Sequence, residues 1–156
     1  MTDVAASLAL ESVLGAGSVV LDVPLAGKAE ALAQASRMLA EVSGVPAAAI
    51  EAALSAREAL GSTAVGSGIA LPHARLHVLR STHAVLLRLK PPIGFEASDG
   101  EPVSLMCAVV APDDPRGDLL VAVSAFAKAF RDPARAEALR QAETPAALRD
   151  LLLGNR

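Results

Sequence analysis

Several stretches of the chain carry an apolar residue at every third or fourth position, the spacing that places side chains on one face of a helix. The stretch from Lys28 to Val42 shows this spacing clearly, and Gly44 follows its end. The pattern predicts amphipathic helices over residues 28–42, 46–60 and 119–132, over a short stretch from 133, and over 145–153. The last of these follows Thr144 as an N-cap, has Pro145 in its first turn and stops at Gly154.

Three shorter runs are dense in apolar and β-branched residues, which predicts strands. They are SVVLDVP at 18–24, AVLLRLK at 84–90 and PVSLMCAVVAP at 102–112. The Pro91-Pro92 pair is expected to halt the second run, and the third is apolar almost throughout, as a buried central strand would be. An Asp-Gly turn between these two runs predicts a hairpin or neighbouring strands. Helices and strands therefore alternate around one sheet in an α/β fold.

Length and composition limit the number of domains and the kind of core. At 156 residues the chain is long enough to bury about two thirds of its unfolded surface, so we expect residues 1–156 to form a single domain. Hydrophobic residues make up 53% of the chain but aromatic residues only 2%. The core must therefore be built from aliphatic side chains.

Charge and apolar run length argue against two classes of partner. The chain has 14 Lys and Arg against 17 Asp and Glu, and its basic residues are scattered, so a nucleic-acid partner is not expected. No apolar run approaches the roughly 18 residues of a membrane span, so membrane insertion is not expected. The acidic N-terminus lacks the basic start of a secretory signal, and the single cysteine, Cys107, cannot form an internal disulfide. We therefore expect a cytoplasmic protein.

The residues with catalytic or ligand-binding chemistry gather in the segment GSTAVGSGIALPHARLH at 61–77, and His83 follows shortly after it. A nucleotide-binding P-loop would need Gly-Lys-Ser/Thr at the start of a helix, and this segment has no lysine. A metal site is also disfavoured, because Pro72 and the strand-like flanks keep His73 and His77 off a common helix face. No Cys or carboxylate lies at ligand spacing, so no metal or nucleotide cofactor is expected.

Phosphoryl transfer fits this segment better. A neutral imidazole nitrogen attacks phosphorus directly, and an imidazole with an ordinary pKa of about 6.5 is largely neutral at cytoplasmic pH, which suits His73. The transferred group needs positioning and charge stabilisation, which hydroxyl groups of Ser62, Thr63 and Ser67 could supply. A guanidinium from Arg57 or Arg75 could add positive charge. The ordinary alternative stays open, because a histidine after a strand is commonly a surface residue and glycines commonly serve turns.

The segment from Arg57 to Ala74, REALGSTAVGSGIALPHA, closely resembles the active-site signature of the fructose/mannitol-type enzyme IIA domains of the bacterial phosphotransferase system. The matching features are an acidic residue at Glu58, a loop of small residues and an aliphatic-Ala-aliphatic-Pro-His ending at His73. Further segments resemble the same family, among them GFEASDGEPVSLMCAVVAP and SAFAKAFRDPARAEALRQA. The resemblance therefore covers almost the whole chain.

The resemblance implies one enzyme IIA domain, with a mixed β-sheet and helices on both sides of it. It also implies that His73 accepts a phosphoryl group from a small HPr-like phosphocarrier protein and that Arg57 stabilises that group. Gly61, Ser62 and Thr63 match the loop beside the histidine and are expected to bind the phosphoryl oxygens. Such a protein is a phosphohistidine-type phosphotransferase component, and its chemistry needs no cofactor.

A chain without permease or IIB segments most resembles the nitrogen-branch enzyme IIA, whose members act chiefly as regulators. That resemblance implies phosphorylation-dependent binding to regulatory target proteins. Two alternatives remain open: a sugar-specific enzyme IIA that passes its phosphoryl group to a IIB component, and a regulator that binds its targets independently of phosphorylation. Cys107 does not correspond to a IIB cysteine, because it lies inside an apolar strand and is expected to be a buried core residue.

One position departs from the family. Members usually carry a second active-site histidine at the start of the helix after the VAP loop, and the matching position here is Leu119, preceded by Asp118. Neither side chain supplies an imidazole N–H, and an inward Asp118 carboxylate would repel a phosphate dianion. The departure favours slow transfer to or from His73, or a role mainly as a binding regulator.

The remaining charged residues near the signature have less specific expectations. His77 and His83 do not match the missing histidine in register, so surface or strand-end positions are expected for both. Arg75 directly follows the signature and either contacts phosphate or a partner, or is a solvated surface residue. The acidic loop DDPRGD at 113–118 either meets a basic partner or is hydrated.

Overall fold

The computed structural model describes residues 10–113 and 117–154. In chain order its elements are β1 (Leu14–Val23), α1 (Lys28–Ser43), α2 (Ala47–Ala59), β2 (Ala64–Gly66), β3 (Ile69–Ala70), β4 (His73–Arg75), β5 (His83–Ile93), β6 (Val103–Ala111), α3 (Asp118–Arg131), α4 (Pro133–Gln141) and α5 (Pro145–Leu153). Residues 10–13 are also helical. The predicted helices are all present with nearly the predicted bounds, whereas β1 begins at Leu14, earlier than the predicted start at Ser18.

The six strands form one mixed sheet. Its order is β1–β5–β6–β3–β2, and β4 continues the line of β3 along the same side of β6. β1 runs parallel to β5, and both β3 and β4 run parallel to β6. β5 and β6 are antiparallel, which confirms the predicted hairpin. The glycine-rich segment between α2 and β4 contains a small antiparallel pair, β2 and β3.

The central strand β6 separates two hydrophobic cores, one on each face of the sheet. Leu105, Cys107 and Val109 belong to one core, and Met106 and Ala108 belong to the other, because side chains alternate along a strand. The first core is completed by α3, α4 and α5, and the second by α1 and α2. Helices therefore cover both faces of a mixed sheet, as the resemblance implies.

β5 is longer than the sequence predicts, because it continues through the Pro91-Pro92 pair to Ile93. The last pair between β1 and β5 joins Val23 to Leu89. The proline region therefore has a neighbouring strand only on the β6 side. The ladder with β6 is irregular before it resumes at Ile93. A strand tolerates proline at an edge or a bulge, so the prediction that this pair halts the strand is wrong.

The helix α5 is bounded by the residues that the sequence predicts. Thr144 Oγ1 accepts a hydrogen bond from the Ala147 N–H at 3.0 Å, and Pro145 lies in the first turn. Gly154 follows the helix with a φ of 79°, a left-handed conformation that glycine adopts without steric cost. Both ends of this helix are thus set by local chemistry.

Arg88 on β5 ties the end of α4 to the sheet. Its guanidinium pairs with the carboxylate of Asp22 on β1 at 2.8 Å. It also donates to the carbonyl oxygens of Leu139, Arg140 and Ala142. Those carbonyls lie at the C-terminal end of α4, where backbone acceptors have no partner within the helix. One buried arginine therefore completes the hydrogen bonding of a helix end.

Candidate functional site

His73 begins β4 and is part-buried beside the central strand, opposite Val109. The Val109 N–H donates to the carbonyl of Pro72 at 2.9 Å, which fixes the start of β4. The ring Nδ1 of His73 lies 2.7 Å from the carbonyl oxygen of Leu71. Because a carbonyl oxygen only accepts, Nδ1 carries the hydrogen and the neutral ring keeps its lone pair on Nε2. Nε2 is therefore the nucleophilic atom of this ring.

The predicted phosphate-binding residues lie in the turn that follows α2. Arg57, in the last turn of α2, donates from its guanidinium to the carbonyl oxygen of Gly61 at 2.9 Å. The Ser62 hydroxyl donates to the carbonyl of Phe95 at 2.6 Å and accepts from the Ala64 N–H at 3.1 Å. The hydroxyl hydrogen of Ser62 is thus already engaged within the protein.

Glu58 is the buried carboxylate of the site. Its Oε1 accepts from the Thr63 hydroxyl at 2.5 Å, and its Oε2 accepts from the Thr63 N–H at 3.1 Å. Lys28 Nζ, from the start of α1, also donates to Oε2 at 3.1 Å. A buried carboxylate needs such partners because they compensate its lost hydration. Both donors of Thr63 are therefore bound to Glu58.

Lys28 connects Glu58 to the segment that follows β5. Its Nζ lies 2.8 Å from the Glu96 carboxylate and 5.1 Å from the centre of the Phe95 ring. Burial acts to lower the pKa of Lys28, but hydrogen bonds to Glu96 and Glu58 outweigh it and raise the pKa above its ordinary value. Sequence reasoning did not identify Lys28, because no local motif marks it and Glu58 is 30 positions away.

The position at which the resemblance predicts a second histidine lies in a hydrophobic core. Leu119, in the first turn of α3, is 2% exposed and belongs to the same core as Leu71 and Val109. His73 points to this face of the sheet, because it pairs with Val109 and strand side chains alternate. α3 also packs against β4. An apolar side chain therefore occupies the place where an imidazole is expected.

The other two histidines and Arg75 lie near the sheet edge at which β4 ends and β5 begins. Arg75 ends β4 and is exposed, and His77 is exposed in the loop that follows. His83 begins β5, and its Nε2 lies 3.1 Å from the Ser81 hydroxyl. Burial lowers the pKa of His83. The expected surface and strand-end positions of these histidines are confirmed.

A cavity of about 410 Å³ lies between the first turn of α3, the end of the segment before β1 and the loop before β5. Arg80, Ser81 and Thr82 supply much of its polar lining. Neither His73 nor Arg57 lines it. The cavity is thus separate from the predicted phosphoryl-transfer site.

Cys107 lies in the middle of β6 and is fully buried. Burial raises the pKa of its thiol, because the charged thiolate would lose its hydration. The prediction of a core residue is confirmed, and no reactive role is indicated.

The acidic loop before α3 is described only in part. Asp113 is exposed, and Asp118 begins α3. Asp114, which the sequence analysis included in this loop, lies outside the described residues. The expectation of a basic partner for this loop stays a prediction.

Residues 10–113 and 117–154 contain neither a membrane-spanning helix nor a cluster of metal ligands. No helix in these ranges has both the length and the apolar composition needed to cross a membrane. No group of three or more His, Cys, Asp or Glu side chains in these ranges is placed to hold a metal ion.

Comparison with known protein families gives a match over nearly the whole chain. The family described as "Phosphoenolpyruvate-dependent sugar phosphotransferase system, EIIA 2" matches residues 12–154. A nitrogen regulatory protein from Bradyrhizobium diazoefficiens is 37% identical over 125 residues, which cover 80% of this chain and 82% of the relative.

Solved structures show the same architecture. Nitrogen regulatory protein IIA-Ntr from Neisseria meningitidis is similar with a TM-score of 0.86 and 31% identity, over 90% of this chain and 97% of that one. The enzyme IIA mannitol of Escherichia coli, solved in complex with phosphorylated enzyme IIB mannitol, has a TM-score of 0.77 at 22% identity, over 90% and 97% of the two chains. The similarity to the mannitol enzyme shows a shared fold and nothing more.

Proposed function

Since the chain belongs to the EIIA 2 family of the phosphoenolpyruvate-dependent sugar phosphotransferase system, we propose that it is a phosphocarrier and regulatory protein. In this proposal His73 accepts a phosphoryl group from an HPr-like phosphohistidine donor. The phosphorylation state then determines which regulatory target proteins the chain binds in the cytoplasm. The similarity to proteins named nitrogen regulatory protein supports the regulatory part.

The hydrogen bond between His73 Nδ1 and the Leu71 carbonyl is the observation that carries the proposal. It fixes the orientation of the ring and leaves the lone pair on Nε2. Nε2 attacks the phosphorus of the donor's phosphohistidine, a new P–N bond forms, and the donor's P–N bond breaks with its electron pair returning to the donor's imidazole. Positive charge develops on the His73 ring, and the Leu71 carbonyl dipole stabilises it.

Arg57 is the cation proposed to receive the phosphoryl charge. A guanidinium has five N–H donors, so one bond to the Gly61 carbonyl leaves others for phosphoryl oxygens. The hydroxyl hydrogens of Ser62 and Thr63 are bound to protein acceptors, so their proposed contacts with phosphate require an exchange of partners. With its hydroxyls so engaged, the loop contributes chiefly by its small size, which admits the donor's phosphohistidine.

The proposal is tested by mixing the purified chain with phosphoenolpyruvate, enzyme I and an HPr-type carrier and following intact mass over time. We expect the wild type to gain one acid-labile phosphoryl group. His73→Ala should gain none, whereas His77→Ala, a matched control at an exposed histidine, should be phosphorylated like the wild type. If the carrier is phosphorylated and the wild type is not, or if His73→Ala keeps the adduct, the proposal is wrong.

Leu119 favours a second candidate, a regulator whose binding does not depend on phosphorylation. The buried leucine removes the imidazole that the family usually places beside the phosphoryl group, which is expected to slow transfer. Target pull-down with the wild type, His73→Ala and His73→Asp separates the two candidates. Equal recovery of the same targets by all three proteins would support the phosphorylation-independent regulator.

A sugar-specific enzyme IIA is the remaining alternative. The solved complex of a mannitol enzyme IIA with its phosphorylated IIB partner has the same fold as this chain. Cys107 is buried and cannot act as an internal acceptor, so a separate IIB protein would be needed. Transfer of the phosphoryl group from His73 to the cysteine of a purified IIB protein would establish this role.

A further inference from the structure

We infer that Lys28 is a positioning residue for His73, acting through a continuous path of hydrogen bonds that passes through Glu58, Thr63 and Leu71. The inference deepens the proposed function and rests on it, because it concerns the same phosphoryl-accepting ring. Lys28 lies at the first position of α1 and makes no hydrogen bond to His73 itself. Its effect is therefore indirect.

The first link of the path is the ion pair between Lys28 and Glu58. The two charged atoms lie 3.1 Å apart, and the side chains are 19% and 5% exposed. A carboxylate this buried is stabilised by a cationic partner and destabilised when that partner is removed. Lys28 thus supplies the positive charge that compensates the buried Glu58 carboxylate and holds it in place.

The second link is the pair of hydrogen bonds that Glu58 accepts from Thr63. One carboxylate oxygen accepts from the Thr63 hydroxyl and the other from the Thr63 N–H. These two bonds fix both the side chain and the backbone of one residue. A displacement of the Glu58 carboxylate is therefore expected to move the backbone of Thr63.

The third link joins Thr63 to the histidine ring. The Thr63 carbonyl accepts from the Leu71 N–H at 3.0 Å, and the Leu71 carbonyl accepts from His73 Nδ1 at 2.7 Å. Leu71 is thus held by the loop through its N–H, and its carbonyl oxygen orients the imidazole. A shift of Thr63 reaches the ring through the backbone of this single residue.

Lys28 also supports the same loop from a second direction. It pairs with Glu96 at 2.8 Å and lies over the Phe95 ring. The neighbouring Phe95 carbonyl accepts from the Ser62 hydroxyl at 2.6 Å. Two successive loop residues are therefore held by groups that Lys28 contacts.

The test is a double-mutant cycle with the wild type, Lys28→Met, Glu58→Gln and Lys28→Met/Glu58→Gln, using the HPr-type donor assay. We expect Lys28→Met to lower the rate constant at saturating donor by about tenfold or more, because small displacements of a reacting group have large kinetic effects. The KM for the donor should change less than about twofold. In the Glu58→Gln background the same substitution should change the rate less than about twofold, since the path is already altered.

Lys90→Met is the matched control, because Lys90 is an exposed lysine on β5 and the substitution removes the same charge. Circular dichroism checks that each variant is folded, and Lys28→Gln replaces Lys28→Met if the latter is not. The inference is overturned if Lys28→Met behaves like Lys90→Met, or if it slows transfer equally in both backgrounds.

A second readout needs no donor. Nitrogen-15 chemical shifts of the His73 ring report which nitrogen carries the hydrogen, and the wild type should favour Nδ1–H. Lys28→Met should shift the population toward Nε2–H, whereas Lys90→Met should not, and an unchanged tautomer in Lys28→Met would overturn the inference. If the wild type accepts no phosphoryl group, the proposed function fails while this measurement still tests Lys28.

Discussion

Arg88 gives a stability prediction, because one guanidinium joins β5, the end of β1 and the C-terminal end of α4. Its side chain is mostly buried, and two of its three bonds to backbone carbonyls are buried as well. Replacement by methionine keeps an apolar stem and removes every donor. The carbonyls of Leu139, Arg140 and Ala142 would then lose their charged partner.

The size of the effect follows from those three acceptors. A buried polar group left without its hydrogen-bond partner costs about 1–3 kcal/mol. The three contributions do not add in full, because one guanidinium serves all of them and water reaches the least buried carbonyl. We therefore expect Arg88→Met to lower the free energy of unfolding by about 3–5 kcal/mol, as when a buried charged pair is broken.

Urea unfolding followed by circular dichroism measures this loss. With a slope of about 2 kcal/mol per molar urea, the midpoint should fall by about 1.5–2.5 M while the slope stays the same. Asp22→Asn is the matched control, because Asp22 is the more exposed partner of the ion pair and should unfold close to the wild type. The reasoning is refuted if Arg88→Met loses less than about 1 kcal/mol or if Asp22→Asn loses as much.

Burial makes three further positions testable. Cys107 should resist a thiol reagent in the native chain and react with it in urea, and fast native labelling would contradict its place in β6. Leu119→His should lower the free energy of unfolding by about 2–4 kcal/mol, whereas Leu120→His, at a neighbouring leucine that is 58% exposed, should change it little. Burial lowers the pKa of His83 in the folded chain below its ordinary value of 6.5. As the pH falls below 6.5, the unfolded chain therefore binds more protons at this residue than the folded chain does. Unfolding by urea should therefore show the wild type losing stability from about pH 7 to about pH 5, and His83→Gln should lose less over that range than His77→Gln.

The fold could be predicted from the sequence wherever the signal is local. Thr144, Pro145 and Gly154 act within one helical turn, so α5 begins and ends where its sequence indicates. The Pro91-Pro92 pair is different, because its effect depends on how far the neighbouring strand β1 extends. That boundary is set by a distant part of the chain, so a local rule for proline gives the wrong strand end.

The candidate site could be predicted in its motif but not in its contacts. The signature predicts His73 and the small-residue loop as the site, and the family match covers residues 12–154, a range that includes both. From the sequence alone, the hydroxyls of Ser62 and Thr63 are candidates for phosphate binding, because the sequence does not show which acceptors they already bind. The acceptor of Ser62 is a backbone carbonyl 33 positions away, and such a contact leaves no residue-type signal.

The charges around the loop bear on the proposed transfer of a phosphoryl group to His73. Lys28 lies between the carboxylates of Glu58 and Glu96, so its positive charge is already used before a phosphoryl group arrives. Arg57 is the cation that remains in the turn. Leu119 presents an apolar surface where an imidazole N–H would help to stabilise the negative charge of a phosphoryl group. A phosphoryl dianion on His73 would therefore be balanced in part by a bound partner. Within the proposed function, that dependence disfavours rapid phosphoryl turnover and leaves both regulatory candidates to be separated by the pull-down experiment.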